Sequence, residues 1–137
     1  MTGNERTLAT SRSGPLDAGW ARAFAAEWID AWNEADLERV LSHYAEDFEM
    51  SSPLIRERMG VSSGRLKGKA AVRPYWARGI TIEPPLRFEL IDVLTGMNVI
   101  AIYYRNVTFG RNVIERLEFD EQLRVVNSEA IYGSGLS

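Results

Sequence analysis

The chain has 137 residues, 45% hydrophobic and 26% charged, with a formal net charge of −3 at pH 7; these are ordinary values for one globular domain long enough to bury a core. Its sixteen Lys and Arg are scattered rather than clustered, so nucleic acid finds no electrostatic footing. With no cysteine and one histidine, His43, the chain lacks the means for disulfides, thiolate catalysis and the usual zinc or non-haem iron sites, so no metal or cofactor is expected and a reducing, cytoplasmic setting suits it.

Residues 1–15, MTGNERTLATSRSGP, hold almost no apolar side chain. That argues against a signal peptide and a membrane span, and predicts a mobile tail ahead of a single domain over residues 16–137. Trp20, Phe24, Trp28 and Trp32 then recur at every fourth position. On a 3.6-residue period they share one face of a helix, predicted over residues 16–34, and such an aromatic stripe is first of all what a helix covering a sheet requires. Asp36 precedes a second apolar run of Leu37, Val40, Leu41 and Tyr44, where its carboxylate can accept from free backbone N–H groups of a helix over residues 37–44. From Phe48 the period falls to two. Phe48, Met50 and Ser52 take one face, Glu49 and Ser51 the other, and Pro53 ends the pairing. Between Pro53 and Gly68 no clear period remains, and glycines and serines mark turns around a short extended piece at Arg65 to Lys67. A third helix over residues 69–78 brings Val72, Tyr75 and Trp76 together, with Pro74 either kinking it or delaying its first turn.

Pro84 and Pro85 break the chain before the strands. Leu86, Phe88 and Leu90 alternate with Arg87 and Glu89; the stretch from Asn98 to Val107 is β-rich; Gly110 marks a hairpin turn. Val99, Ala101 and Tyr103 alternate with Ile100, Ile102 and Tyr104, so this strand is apolar on both faces. Its outer face needs cover, which a homodimer would supply. In the next strand Val113, Glu115, Leu117 and Phe119 share a face, and Ser128, Ala130 and Tyr132 occupy the corresponding face of the last. Glu115 is the residue out of place in that apolar row. A carboxylate there loses hydration, and either keeps its proton or finds a cation or several donors. One reading makes it a proton donor or polar anchor for a ligand; the other pairs it with an arginine in the core.

Two helices joined by N-x-x-D-L at Asn33 to Leu37, then Y-A-E-D at Tyr44 to Asp47 entering a strand that closes in S-P at Ser52 and Pro53, resemble the opening of the nuclear transport factor 2-like superfamily, in its SnoaL-like and ketosteroid isomerase-like branch. GKAAVRPYW, from Gly68, is similar to that superfamily's third helix, and IERLEFDEQLRVVNSEAIYG, from Ile114, to its closing strand pair. The resemblance spans residues 16–133 and implies an α+β fold, a cone-shaped curved antiparallel sheet over three helices (a cystatin-like α+β barrel) with a pocket for a small molecule in the cone.

For chemistry the resemblance is selective. It puts Glu115 where ketosteroid isomerases carry the aspartic acid that donates to the substrate oxyanion, a neutral buried acid. It puts Trp28 at their oxyanion tyrosine and Ser52 at the aspartate that moves the proton. A serine is no general base at neutral pH, so steroid isomerisation by that mechanism is disfavoured. Limonene epoxide hydrolases, another branch, carry a strand acid at the position of Ala130, so their water-activating site is absent as well. SnoaL-like polyketide cyclases need an acid/base carboxylate in the cone, which Glu115 can supply alone. Trp28, Tyr75 and Trp76 match positions that line or support the isomerase pocket; with Ser52, Ser128 and Tyr132 they form the expected ligand-binding set around a catalytic Glu115. His43 is expected as a half-exposed edge residue. Two functions follow: proton-transfer chemistry of the isomerase or cyclase type on a small, mostly apolar molecule, or a binding pocket that has lost its base.

Overall fold

A computed structural model describes residues 14–135. In chain order it contains α1 (Ala18–Asn33), α2 (Leu37–Leu41), β1 (Tyr44–Ser51), α3 (Pro53–Met59), β2 (Arg65–Lys67), α4 (Lys69–Ile80), β3 (Phe88–Thr95), β4 (Val99–Asn106), β5 (Arg111–Phe119) and β6 (Val125–Tyr132). The strands form one six-stranded sheet in the order β2-β1-β6-β5-β4-β3. The helices lie on its concave side, as the resemblance implies. Of the predicted tail, residues 1–13 lie outside the described residues. Leu16 is already buried, and its N–H donates to the Gly96 carbonyl at 3.0 Å. Among the described residues no helix is long and apolar enough to cross a membrane.

Asp17 starts α1 by accepting from the Trp20 N–H at 2.8 Å, and the helix buries Ala21, Ala25, Trp28, Ile29 and Trp32. Trp28 and Trp32 lie with Phe88 and Tyr104 in a continuous aromatic cluster, with ring centroids 4.5 to 6.1 Å apart. Asn33, the last residue of α1, fixes that helix to β3: its amide donates to the Phe88 carbonyl at 3.0 Å and accepts from the Phe88 N–H at 2.7 Å. Outside the core, the Arg39 guanidinium forks onto both oxygens of Glu27 at 2.7 Å, and His43 meets the same carboxylate at 3.3 Å. The alternation in β4 and β5 is regular: Ile100, Ile102 and Tyr104, with Val113, Glu115, Leu117 and Phe119, point inward and are buried.

Four departures from the sequence reading have physical causes. First, the sheet is antiparallel in four of its pairings, but β1 runs parallel to β6. These two strands are distant in sequence and no hairpin constrains their direction. Second, the helix expected to reach residue 44 stops at Leu41, because the Ser42 hydroxyl turns back onto the Arg39 carbonyl and Tyr44 already pairs with Val125, so β1 begins four residues before Phe48. Third, the aperiodic segment after Ser52 contains a helix, α3. The Ser52 hydroxyl caps it by accepting from the Leu54 N–H at 3.1 Å, Pro53 takes its first position, and Gly60 ends it in the left-handed conformation at φ 70°. Fourth, α4 runs through Pro74 and begins at Lys69, so its first turn is not delayed.

Candidate functional site

Between α1, α4 and the inner face of β4 to β6 lies a cavity of about 330 Å³, near the small end of the range that small-molecule sites occupy. Glu115 is its buried polar centre. On β5 it sits opposite Ile102 of β4 and Ala130 of β6; the short alanine side chain leaves space beside the carboxyl. The walls are aromatic: Trp28 and Trp32 from α1, Tyr75 and Trp76 from α4, Tyr104 and Phe88 from the far strands. The rim is more polar, with exposed Arg58 of α3 and Arg111 at the start of β5, and with Phe109 of the β4–β5 turn half exposed.

Among the described residues no basic side chain forms an ion pair with Glu115. Burial therefore acts unopposed and pushes its carboxyl up to about 8, so at neutral pH the group is mostly protonated. Four tyrosines lie within electrostatic reach of this acid. Burial raises the hydroxyls of Tyr44, Tyr104, Tyr132 and Tyr75 above the usual phenol range, and the Glu115 charge raises each further. The Tyr44 hydroxyl accepts from Trp28 Nε1 at 3.0 Å, which holds the Trp28 ring in the wall. The Tyr132 hydroxyl lies 3.4 Å from Ser52 Oγ, and Ser52 acts on Tyr75 as well.

Of the residues singled out from sequence, Glu115, Trp28, Tyr75, Trp76 and Tyr132 line the cavity. Ser52 and Ser128 do not. Ser52 stands behind the wall as the cap of α3; Ser128 is fully buried beside Met50 and Leu117, with no hydrogen-bond partner among the described residues. His43 is half-buried at the edge of the core, its ring 5.1 Å from Phe24, and is not in the lining. Among the described residues no three metal-ligating side chains converge.

The lining also includes residues outside the expected ligand-binding set. Trp32 follows Trp28 by one turn, and its Nε1 is a buried donor without an acceptor among the described residues. Tyr104 continues the inward row of Ile100 and Ile102, a signal obscured because the same strand is apolar on its other face. Asn106 is buried at the end of that row, its Oδ1 accepting from the Phe109 N–H at 3.1 Å. Arg111 has the strand parity of Val113 and Glu115, and this could have identified it. Arg58 lies in the helix that showed no period.

Comparison with known proteins agrees with this architecture. Residues 25–125 match the SnoaL-like domain family. Among solved structures, a SnoaL-like protein of unknown function from Burkholderia thailandensis is 45% identical over 88% of this chain and 99% of its own, with a TM-score of 0.84. At fold level only, the chain is similar to AclR, a putative hydroxylase from Streptomyces galilaeus (17% identity, 85% and 81% of the two chains, TM-score 0.65). A putative ketosteroid isomerase from Kribbella flavida is comparable (17% identity, 88% and 83%, TM-score 0.64). No curated protein matches the chain. With three-quarters of its length under the family's match and a relative at 45% identity, the chain belongs to the SnoaL-like domain family, within the nuclear transport factor 2-like fold.

Proposed function

We propose that the protein binds a small, mostly apolar molecule in the cone and carries out proton-transfer chemistry of the isomerase or cyclase type on it, with Glu115 as the acid. The observation that carries this is the Glu115 carboxyl, buried in an aromatic cavity with no ion-pair partner among the described residues and held largely protonated by burial. In its resting form it donates to a carbonyl oxygen of the ligand. As negative charge develops on that oxygen the bond strengthens, and one such donor in a dry site contributes roughly 3 kcal/mol to lowering a barrier. Having given up its proton, the same group is a carboxylate that can take one from a neighbouring carbon. One residue thus ends in the state in which it began, and no second acid-base group is required.

The test needs no knowledge of the natural substrate. In D2O, with 1-tetralone as probe, the wild type should catalyse deuterium entry at the carbon beside the carbonyl, followed by NMR. Glu115→Gln keeps shape and a donor but cannot release a proton, so it should bind the ketone and leave exchange at the buffer rate. Turnover should fall as pH rises through about 8, where the acid ionises. Exchange that survives in Glu115→Gln would remove Glu115 from this role.

A second reading, binding without chemistry, is favoured by one observation. Ser52, which falls where the isomerases carry their base, is committed to capping α3, and Glu115 is the one carboxylate in the lining among the described residues. Ketone binding without exchange in the wild type would select it. In either reading the partner on the outer sheet face is a second copy of the chain. Leu94 beside Ala101, and Tyr103 beside Ile114 and Ile131, form an outward apolar strip, with Leu94 and Ile131 exposed. Arg116, Glu118 and Glu129 next to it carry both charge signs, as a two-fold self-complementary surface requires. The cysteine-free chain suits a reducing cytoplasm.

A further inference from the structure

We propose that the ligand of this cavity carries an oxyanion, a carboxylate in the simplest case, at the end facing the rim, where Arg58 and Arg111 hold it while the carbonyl end reaches Glu115. This rests on the ligand-binding reading above and adds to it the ligand's charge and polarity.

The rim is asymmetric in charge. Arg58 and Arg111 are the cavity's basic lining residues, and Glu115, its acidic one, lies deep and mostly neutral. Arg39, Arg65, Arg73, Arg87 and Arg116 each meet a carboxylate of the protein. Arg58 and Arg111 form no ion pair among the described residues. Arg111 is nevertheless tied to the pocket wall. The Arg111 guanidinium lies over the Tyr132 ring, 5.2 Å from its centroid, and one of its nitrogens donates to the Gly133 carbonyl at 3.2 Å. That contact orients the plane and, among the described residues, leaves most of its five N–H donors unused. The Arg58 charge is felt at the hydroxyls of Tyr75 and Tyr132, favouring their ionised forms, so it stands close to the cavity wall. Glu57 is the acidic neighbour; it acts on Tyr75 in the opposite sense and is not part of the lining. Two arginines against one acid leave the rim cationic.

Geometry sets the ligand's length. Arg111 and Glu115 share one face of β5 four positions apart, roughly 13 Å between Cα atoms at 3.3 to 3.4 Å per residue. Both line the cavity whose walls include Trp28, Tyr104 and Tyr132. A flat skeleton of about two fused rings, with a carbonyl at one end and a carboxylate at the other, spans that interval and stacks on the aromatic walls. The neutral acid and the two guanidinium groups then read opposite ends of the same molecule, which fixes its direction in the cavity.

The matched probes are 2-acetylnaphthalene and 6-acetyl-2-naphthoate, which differ by the carboxylate alone, with dissociation constants read from quenching of tryptophan fluorescence. The acid should bind about tenfold more tightly than the ketone, the size of one charge-assisted hydrogen bond, and added salt should shrink the gap. Arg58→Gln and Arg111→Gln should each weaken the acid several-fold, with the loss confined to the acid, and Arg58→Glu should reverse the preference toward the corresponding aminomethyl ketone. Arg58 is exposed on α3, so its variants keep the fold even if Arg111→Gln loosens Tyr132; thermal melts of both control for this. A ketone that binds as well as the acid, or a preference that survives both substitutions, overturns the inference and leaves the ligand-binding reading standing. Failure of both probes to bind removes that reading and this inference together.

Discussion

At the scale of single residues, two acids of this protein show opposite consequences of their surroundings. Hydrogen bonds from Arg39, joined by His43, hold Glu27 down at about 2, so it contributes stability that is present above the ordinary value of 4.5 and is lost as pH falls toward 2. Glu115 does the reverse. Burial raises it from 4.5 to about 8, so between those values the folded protein keeps a proton that the unfolded chain gives up. Its contribution is complete below about 4.5, declines with rising pH, and levels off above about 8. The slope in that window is about 1.4 kcal/mol per pH unit for one fully shifted group. Glu115→Gln removes the proton without changing the shape, so the variant should gain on the wild type steadily from about pH 5 to about pH 8, as read by urea denaturation. A stability gap that stays flat over this range would mean that the carboxyl is not raised.

At the scale of elements, legibility followed the extent of one-sided burial. The stripe of α1 and the alternation in β5 were readable because one face of each is buried over many residues, and burial imposes the period on the sequence. Glu115 stood out for the same reason, as the polar residue in an apolar row. Helix α3 has seven residues and only Ile55 fully buried, too few for a period to emerge; its signs were the serine cap and the proline at the first position, which also read as the end of a strand. The parallel pairing of β1 with β6 leaves no local trace at all. Arg58 was missed with its helix, and the cavity could not be sized without knowing how far α1 and α4 stand from the sheet. Ser52 joins these levels, since it caps α3 and sits against Tyr132 in the wall. Ser52→Ala should lower stability by about 1 kcal/mol and weaken ketone binding through a loosened Tyr132. Ser52→Thr, which keeps the capping oxygen, should restore most of the stability. Unchanged melting of the alanine variant would show that the cap is dispensable and that Pro53 alone starts the helix.

At the scale of the whole molecule, the outer sheet face is the surface on which the proposed second copy would sit. The inner face is saturated by the helices and the cavity, while the outer face leaves Leu94 51% and Ile131 46% exposed beside half-buried Ala101, Tyr103 and Ile114. A standard interface removes about 800 Å² per partner. That is about a tenth of this chain's 7905 Å². The rim residues Arg58, Phe109 and Arg111 are not part of that strip, so pairing across this face should leave the cavity open to ligand in both copies. The wild type should therefore sediment as a dimer at micromolar concentration. Leu94→Glu with Ile131→Glu places like charges on the strip in both copies, and each substitution appears twice in a two-fold interface. The doubly substituted chain should sediment as a monomer. Because both side chains are exposed in the single chain, its far-ultraviolet circular dichroism should be unchanged and its ketone binding retained. A wild type that sediments as a monomer at that concentration would leave the strip as an uncovered surface and end the dimer proposal, whereas a substituted chain that stays dimeric would move the interface to another face.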